Sequence, residues 1–209
     1  MPIVCPTVLA ENPHSYREQV ERVQLFAKRM HLDFADGIFT PSRTIDLDQA
    51  WLPDNLEVDL HVMHIAPGME AKQLVNLKAN MVIVHAEAEG NFVLLADKLH
   101  EAGMKVGVAL LQNTPVKKVK KAISHIDHVL IFSGDLGHFG GEADLELLKK
   151  VKDVRKMKSS IEIGWDGGIN DTNIAEIAEA GVDVLNVGGY IQRAPDPRAA
   201  FERLQSLLH

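Results

Sequence analysis

Two short runs place imidazole and carboxylate side chains two residues apart: Met30-His31-Leu32-Asp33-Phe34-Ala35-Asp36-Gly37 and Val58-Asp59-Leu60-His61-Val62-Met63. In an extended strand alternate side chains share a face, so His31 projects with Asp33, and Asp59 with His61, while Leu32 and Phe34 point the other way. A third run, Ile161-Glu162-Ile163-Gly164-Trp165-Asp166-Gly167-Gly168, carries Asp166 just before a glycine pair that must turn. Two imidazoles with two carboxylates suit Zn²⁺, Fe²⁺, Mn²⁺ or Co²⁺ better than Mg²⁺ or Ca²⁺, which favour oxygen shells. These residues point to one divalent transition metal, and the ligand types leave the choice among the four open. His85, followed by Ala86-Glu87 at the end of another apolar run, is a candidate substrate contact or a partner behind the ligands.

Whether these residues meet depends on the elements that carry them. Apolar, β-branched runs at 3–8, 30–35, 56–63, 81–85, 106–110, 128–132, 160–165 and 184–187 read as strands. Helix-period segments follow at 15–28, 47–51, 69–77, 92–101, 116–123, 143–156, 172–180 and 197–208, and Gly103 and Gly181 supply left-handed closures. Eight strand–helix units without a linker predict an α/β fold, a TIM (β/α)8 barrel forming a single domain over 1–209, with a doubly wound open sheet as the fallback. Barrel strands are covered on both faces and should be almost wholly apolar. Charged groups within them must be paired, hydrated or bound to a cation, and here they lie toward the C-terminal strand ends, where barrel active sites sit.

Glycines cluster after the last three strands: Gly137-His138-Phe139-Gly140-Gly141, Gly167-Gly168 and Gly188-Gly189. Their exposed backbone amides could cradle a phosphate, which barrels commonly bind after strands seven and eight. A metal facing a phosphate pocket suggests proton abstraction next to a carbonyl, with an ene-diolate held as it forms. Asp33 and Asp166 lie on strands two and seven, far apart around the barrel, so they can flank a substrate carbon from opposite faces. Removing a proton from one face and returning it to the other inverts the centre. The chemistry read from the residues is epimerisation.

Composition narrows the alternatives. A formal net charge of −7 gives no invitation to nucleic acid or an anionic membrane surface, and Lys117-Lys118-Val119-Lys120-Lys121 reads as a solvated helix face. No apolar run approaches the ~20 residues that span a bilayer, and the first residues lack a basic segment leading into a long apolar one, so the expectation is a cytoplasmic protein. The single cysteine, Cys5, excludes an internal disulfide and reads as a buried structural thiol.

With these residues in place the chain resembles the ribulose-phosphate 3-epimerase family along nearly its whole length. The matching segments are Cys5-Pro6-Thr7-Val8-Leu9, where the family has a Pro-Ser start, His31-Leu32-Asp33 with Asp36-Gly37, Asp59-Leu60-His61-Val62-Met63, Val84-His85-Ala86-Glu87-Ala88, Phe139-Gly140-Gly141 and Asp166-Gly167-Gly168-Ile169. The resemblance implies that His31, Asp33, His61 and Asp166 hold the metal and that Asp33 and Asp166 are also the acid–base pair. It further implies that Thr7 stands at a substrate-contacting serine position, that Met63 lines the site, and that backbone at Gly140, Gly141, Gly168, Gly188 and Gly189 holds the phosphate of a sugar phosphate. Association into a dimer or hexamer follows from the same resemblance.

Several loops depart from it. The family's Met-Asp-Gly-His-Phe-Val-Pro-Asn is here Ala35-Asp36-Gly37-Ile38-Phe39-Thr40-Pro41-Ser42, and its Asn-Pro-Gly-Phe-Gly-Gly-Gln becomes a longer stretch ending in the acidic Glu142. A carboxylate there would repel a phosphate unless it pointed to solvent. The expected reaction interconverts D-ribulose 5-phosphate and D-xylulose 5-phosphate. Alternatives are a 3-epimerase of a six-carbon ketose phosphate such as allulose 6-phosphate, and a non-catalytic sugar-phosphate binding protein. A lysine-dependent lyase or decarboxylase is disfavoured, because no lysine follows His31-Leu32-Asp33.

Overall fold

A computed structural model describes residues 1–208. Eight parallel strands close into a barrel in chain order, β1 (Ile3–Leu9), β2 (Arg29–Ala35), β3 (Glu57–Met63), β4 (Met81–His85), β5 (Lys105–Leu110), β6 (His128–Phe132), β7 (Glu162–Asp166) and β8 (Val184–Val187), with β8 returning to pair with β1. All eight expected strands are present, and the closed sheet decides for the barrel over the open sheet. Strand alternation divides the apolar residues into two populations. Outward ones, such as Leu32, Phe34, Leu60, Val84, Ile131 and Trp165, form the large core between sheet and helices, whereas Met81, Ile83, Ala109 and Leu130 form a small separate cluster inside the barrel.

The helices are α1 (Pro13–Val23), α2 (Ala71–Leu77), α3 (Phe92–Glu101), α4 (Leu148–Met157), α5 (Ile174–Glu179), α6 (Gly189–Gln192) and α7 (Pro197–Ser206). Local chemistry starts several of them. Asn12 accepts from the Ser15 N–H at 3.0 Å ahead of α1, and Asp196 accepts from the Ala199 N–H at 3.0 Å ahead of α7, each with proline in the first turn. The inward stripes of Tyr16, Val20 and Val23, or of Leu95, Ala96 and Leu99, then seal the barrel's outer face.

Four helix expectations need correction, the first being 47–51, which forms only a 3-10 turn at Leu47–Gln49. The segment 116–123 forms no α-helix but two short 3-10 turns, Val116–Val119 and Ile123–His125. Its lysines repel one another at helical spacing, and of its apolar residues only Val116 and Val119 are buried, with Ala122 and Ile123 packed partly buried against the core. Helix α1 stops at Val23 rather than residue 28, since the chain must turn there to seat Phe26 against Phe201, ring centroids 5.1 Å apart, and bring Arg29 into the barrel. The one-turn α6 after β8 lies where the sequence suggested only a glycine turn.

The barrel's N-terminal end is plugged by charge. Arg29, 5 % exposed, donates through Nε to Asp59 at 2.6 Å and through both terminal nitrogens to Glu162 at 2.8 and 2.9 Å. Asn80 donates to Asp59 at 2.9 Å, and the His128 ring lies 2.8 Å from Glu162. Gly164 makes room for that ring, because a Cβ there would lie 2.5 Å from His128 Nε2. Burial pushes the Glu162 carboxyl up, but Arg29 and His128 outweigh it and hold it well below the usual carboxylate range. Cys5 sits fully buried nearby, its thiol pushed well up by burial and by Asp59, as a structural thiol should be. Removing one partner of such a cluster strands the others. Arg29→Leu is expected to cost about 3–5 kcal/mol in chemical denaturation, and an unchanged unfolding midpoint would show that the plug contributes nothing.

Candidate active site and metal centre

The opposite end of the barrel carries the chemistry. His31 and Asp33 project inward from β2, His61 from β3 and Asp166 from the last position of β7, with one ligand-type atom of each lying within 4.8 Å of all the others. Strands two and seven are thus far apart in order, yet barrel closure brings their carboxylates into one space. His61 Nδ1 is 2.8 Å from Asp33 Oδ1 and 3.7 Å from Asp166 Oδ2, and His31 Nε2 is 3.3 and 3.8 Å from the same two oxygens. Both ring nitrogens of His31 are buried without a hydrogen-bond partner.

Burial and mutual charge set the protonation of the cluster. Burial pushes Asp33 up, but the His31 and His61 rings outweigh it and bring the carboxyl down to about 2. Asp166 goes the other way, raised to about 7 by burial and by the charge of Asp33. Burial, reinforced by the neighbouring imidazoles, lowers His61 to about 4, leaving it neutral and able to donate a lone pair. An unpartnered buried imidazole, a neutral one and two converging carboxylates fit a divalent cation: the ring lone pairs gain an acceptor and the like charges a counter-ion.

His85 stands behind this group. Its Nε2 lies 2.9 Å from His61 Nε2, its Nδ1 lies 3.5 Å from Glu87 Oε2, and Glu87 in turn accepts from the Thr114 hydroxyl. The His85 ring against His61 Nε2 leaves His61 Nδ1 toward the carboxylates. Phe39 stacks on His85 at 4.8 Å between ring centroids, and His85 borders a separate small pocket between the ends of β4 and β5.

Above the cluster opens a cavity of ≈ 220 Å³ lined by Thr7, Asp33, Met63 and Asp166 at one end and by backbone at Gly140, Gly141, Gly168, Gly188 and Gly189 at the other. All these sequence candidates therefore share one wall, while His31, His61 and His85 lie beneath or behind it. The glycine loops interlock: Gly168 has φ +72°, and a Cβ there would fall 2.1 Å from the Ala143 nitrogen. A Cβ at Gly188 would lie 2.5 Å from the Phe139 ring. The β2 loop reaches across to this side, with the Thr40 hydroxyl donating to the Leu136 carbonyl at 2.9 Å. Glu142 is exposed and stays off the cavity wall, so the expected repulsion of a phosphate does not arise.

Two wall residues were not singled out from sequence. Asn186 interrupts the apolar β8 run, the same signal that marked β2 and β3, but as a lone polar residue without a histidine or carboxylate neighbour. Arg193 follows α6 and reaches back over the loop, donating to the Phe139 carbonyl at 3.1 Å. Its distance in sequence from the glycines hid it.

Fold and site together define an α/β barrel with a buried histidine–carboxylate cluster beneath a cavity at the C-terminal strand ends. A model of the ribulose-phosphate 3-epimerase family matches residues 3–192, and the chain belongs to that family. It is 35 % identical to ribulose-phosphate 3-epimerase of Mycobacterium leprae, covering 98 % of this chain and 94 % of the relative. It is 31 % identical to that of Aquifex aeolicus, covering 100 % and 97 %. Among solved structures, a 3-hexulose-6-phosphate synthase superposes with a TM-score of 0.74 over 99 % of this chain and 100 % of the other at 16 % identity, a likeness of fold alone. The relatives are carbohydrate epimerases by name, and this chain is accordingly an epimerase of the pentose-phosphate type. No described helix is long and apolar enough to cross a membrane.

Titrating a divalent transition metal into chelator-stripped protein is expected to raise its melting temperature, with stabilisation of about 2.7 kcal/mol once the free ion reaches a hundredfold of its Kd. Scanning calorimetry of His31→Ala should show most of that shift gone; a full shift in the variant would place the ion elsewhere.

Proposed function

We propose that the protein is a metal-dependent 3-epimerase interconverting D-ribulose 5-phosphate and D-xylulose 5-phosphate, with His31, Asp33, His61 and Asp166 as the metal ligands. The observation that carries this reading is the convergence of Asp33 and Asp166, from opposite sides of the barrel, at one end of a cavity whose other end is glycine backbone. A bound Zn²⁺, Fe²⁺, Mn²⁺ or Co²⁺ would act there as a Lewis acid toward the substrate's carbonyl oxygen.

The chain's own groups do the rest. Asp33, held ionised, takes the C3 proton on one face, and the C–H electron pair moves into the C2–C3 bond to give the ene-diolate. Asp166, whose carboxyl is pushed up by burial and by the charge of Asp33, returns a proton to C3 on the opposite face. The reverse reaction exchanges their roles. Thr7 and Met63 flank the carbon chain. Amides around Gly140, Gly141, Gly168, Gly188 and Gly189 hold the phosphate, with the Arg193 guanidinium as its cation. His85 serves behind the site, fixing the tautomer of His61, rather than as a substrate contact.

Cytoplasmic residence and self-association into a dimer or hexamer belong to the same reading, the latter checked by light scattering. The deciding experiment incubates metal-loaded protein with ribulose 5-phosphate in deuterated water. Xylulose 5-phosphate carrying deuterium at C3 is the expected product, and absence of both product and exchange would sink the proposal. Competition with allulose 6-phosphate tells a pentose from a hexose enzyme, and tight binding without exchange would mark a non-catalytic binding protein. In the same assay Asp33→Asn and Asp166→Asn should each lower kcat by about 10²–10⁴. Arg193→Met should instead raise KM by about tenfold with kcat nearly unchanged, since a charge-assisted hydrogen bond to phosphate is worth about 1.5–3 kcal/mol.

A further inference from the structure

Asn186 is 2 % exposed, flanked in its own strand by Val184, Leu185 and Val187. Its register neighbours are Asp166 on β7 and Cys5 on β1. Its Oδ1 is buried with no hydrogen-bond partner, and so is the Oγ1 of Thr7 on the adjoining strand. Both residues line the cavity that holds Asp33 and Asp166. A buried amide without a partner is costly, and folded proteins pair nearly all such groups. The two orphaned oxygens lie on neighbouring strands of one wall, Asn186 in register with Asp166 and Thr7 beside Gly188.

We propose that Asn186, together with Thr7, is a specificity-determining residue that hydrogen-bonds the hydroxyl lying between the reacting carbon and the phosphate, the C4 hydroxyl of a ketose 5-phosphate. An amide suits this target because a hydroxyl both donates and accepts, and Asn186 offers both complements. The position suits it too, since Asn186 is level with Asp166 across the sheet and two residues before Gly188, and both line the same cavity. A site that hydrogen-bonds a hydroxyl discriminates against the analogue lacking it, whose binding leaves the protein's polar groups unpaired. The inference rests on the epimerase reading for the substrate's orientation.

Its test needs no turnover. Ribitol 5-phosphate and its 4-deoxy analogue have no carbonyl to react, and calorimetry on the metal-loaded protein gives a Kd for each. Wild type is expected to bind the deoxy compound about tenfold or more weakly, and Asn186→Val, which is close in size, to bind the two within about threefold. Removing an unpaired amide should leave the melting temperature of Asn186→Val at or above that of wild type. Equal discrimination by wild type and Asn186→Val overturns the proposal, as does indifference of wild type to the C4 hydroxyl. A lowered melting temperature in both Asn186→Val and Asn186→Ala with discrimination intact overturns it in favour of a structural amide. Should the exchange assay with ribulose 5-phosphate fail, the epimerase reading falls by that result, while the ribitol pair still judges Asn186 independently.

Discussion

Two carboxylates that would repel each other in the open are confined by the barrel to one buried space, and much of the upper half of the molecule is arranged around that confinement. Asp33 arrives from β2 and Asp166 from β7, with β1 and β8 between them in the sheet. In an open sheet of the same strand order they would lie five strands apart, and only closure through β1 and β8 lets them meet across the interior. Their separation in acidity, one near 2 and the other near 7, comes from placement alone: Asp33 has both imidazoles against it, and Asp166 has burial and the charge of Asp33. A pair split in this way is what proton exchange at one carbon requires, since a base and an acid must coexist at the same pH.

The barrel tolerates this because its interior is barely an apolar core at all. Most of the hydrophobic burial lies outside the sheet, under the helices, where inward mutations of the site do not reach. Inside, only Met81, Ile83, Ala109 and Leu130 separate two polar layers. In the lower layer Arg29 answers both carboxylates, Asp59 and Glu162. The upper layer has no such residue and leaves His31, Thr7 and Asn186 with unpaired atoms. The contrast separates structure from function: the same strands carry charge at both ends, but only at the lower end does a side-chain guanidinium answer the carboxylates.

That contrast also explains what the sequence could disclose. Alternation in Met30 to Ala35 and Val58 to Met63 was readable because a covered strand has no reason to hold polar side chains except to use or pair them. It could not say which. Asp59 and His61 follow the same period and share a face, yet two residues along a strand move a side chain about 6.6 Å, enough to put Asp59 in the lower plug and His61 in the upper site. The strands were legible throughout, being short apolar runs between turn residues. Residues 116–123 were not, since their period is helical while their lysines repel; their fate depended on charge rather than pattern. Asn186 and Arg193 escaped notice because each gains meaning only from partners remote in sequence.

The loop changes around the phosphate end look, as sequence, like a loss of fitness for an anion, because glutamine is replaced by Glu142 in a family whose loops there are neutral. Geometry reverses that inference. Interlocked backbones at Gly134, Gly167, Gly168 and Ala143 leave no room for side chains between the loops, and Glu142 is exposed outside them. Meanwhile Arg193, on the far side of β8, returns over Phe139 to the cavity wall with its guanidinium fastened to the loop's own carbonyl. Glu142 faces solvent off the cavity wall, whereas Arg193 is one of the residues that line it. The guanidinium on that wall is Arg193, and the residue whose change is most conspicuous in the sequence stands outside it.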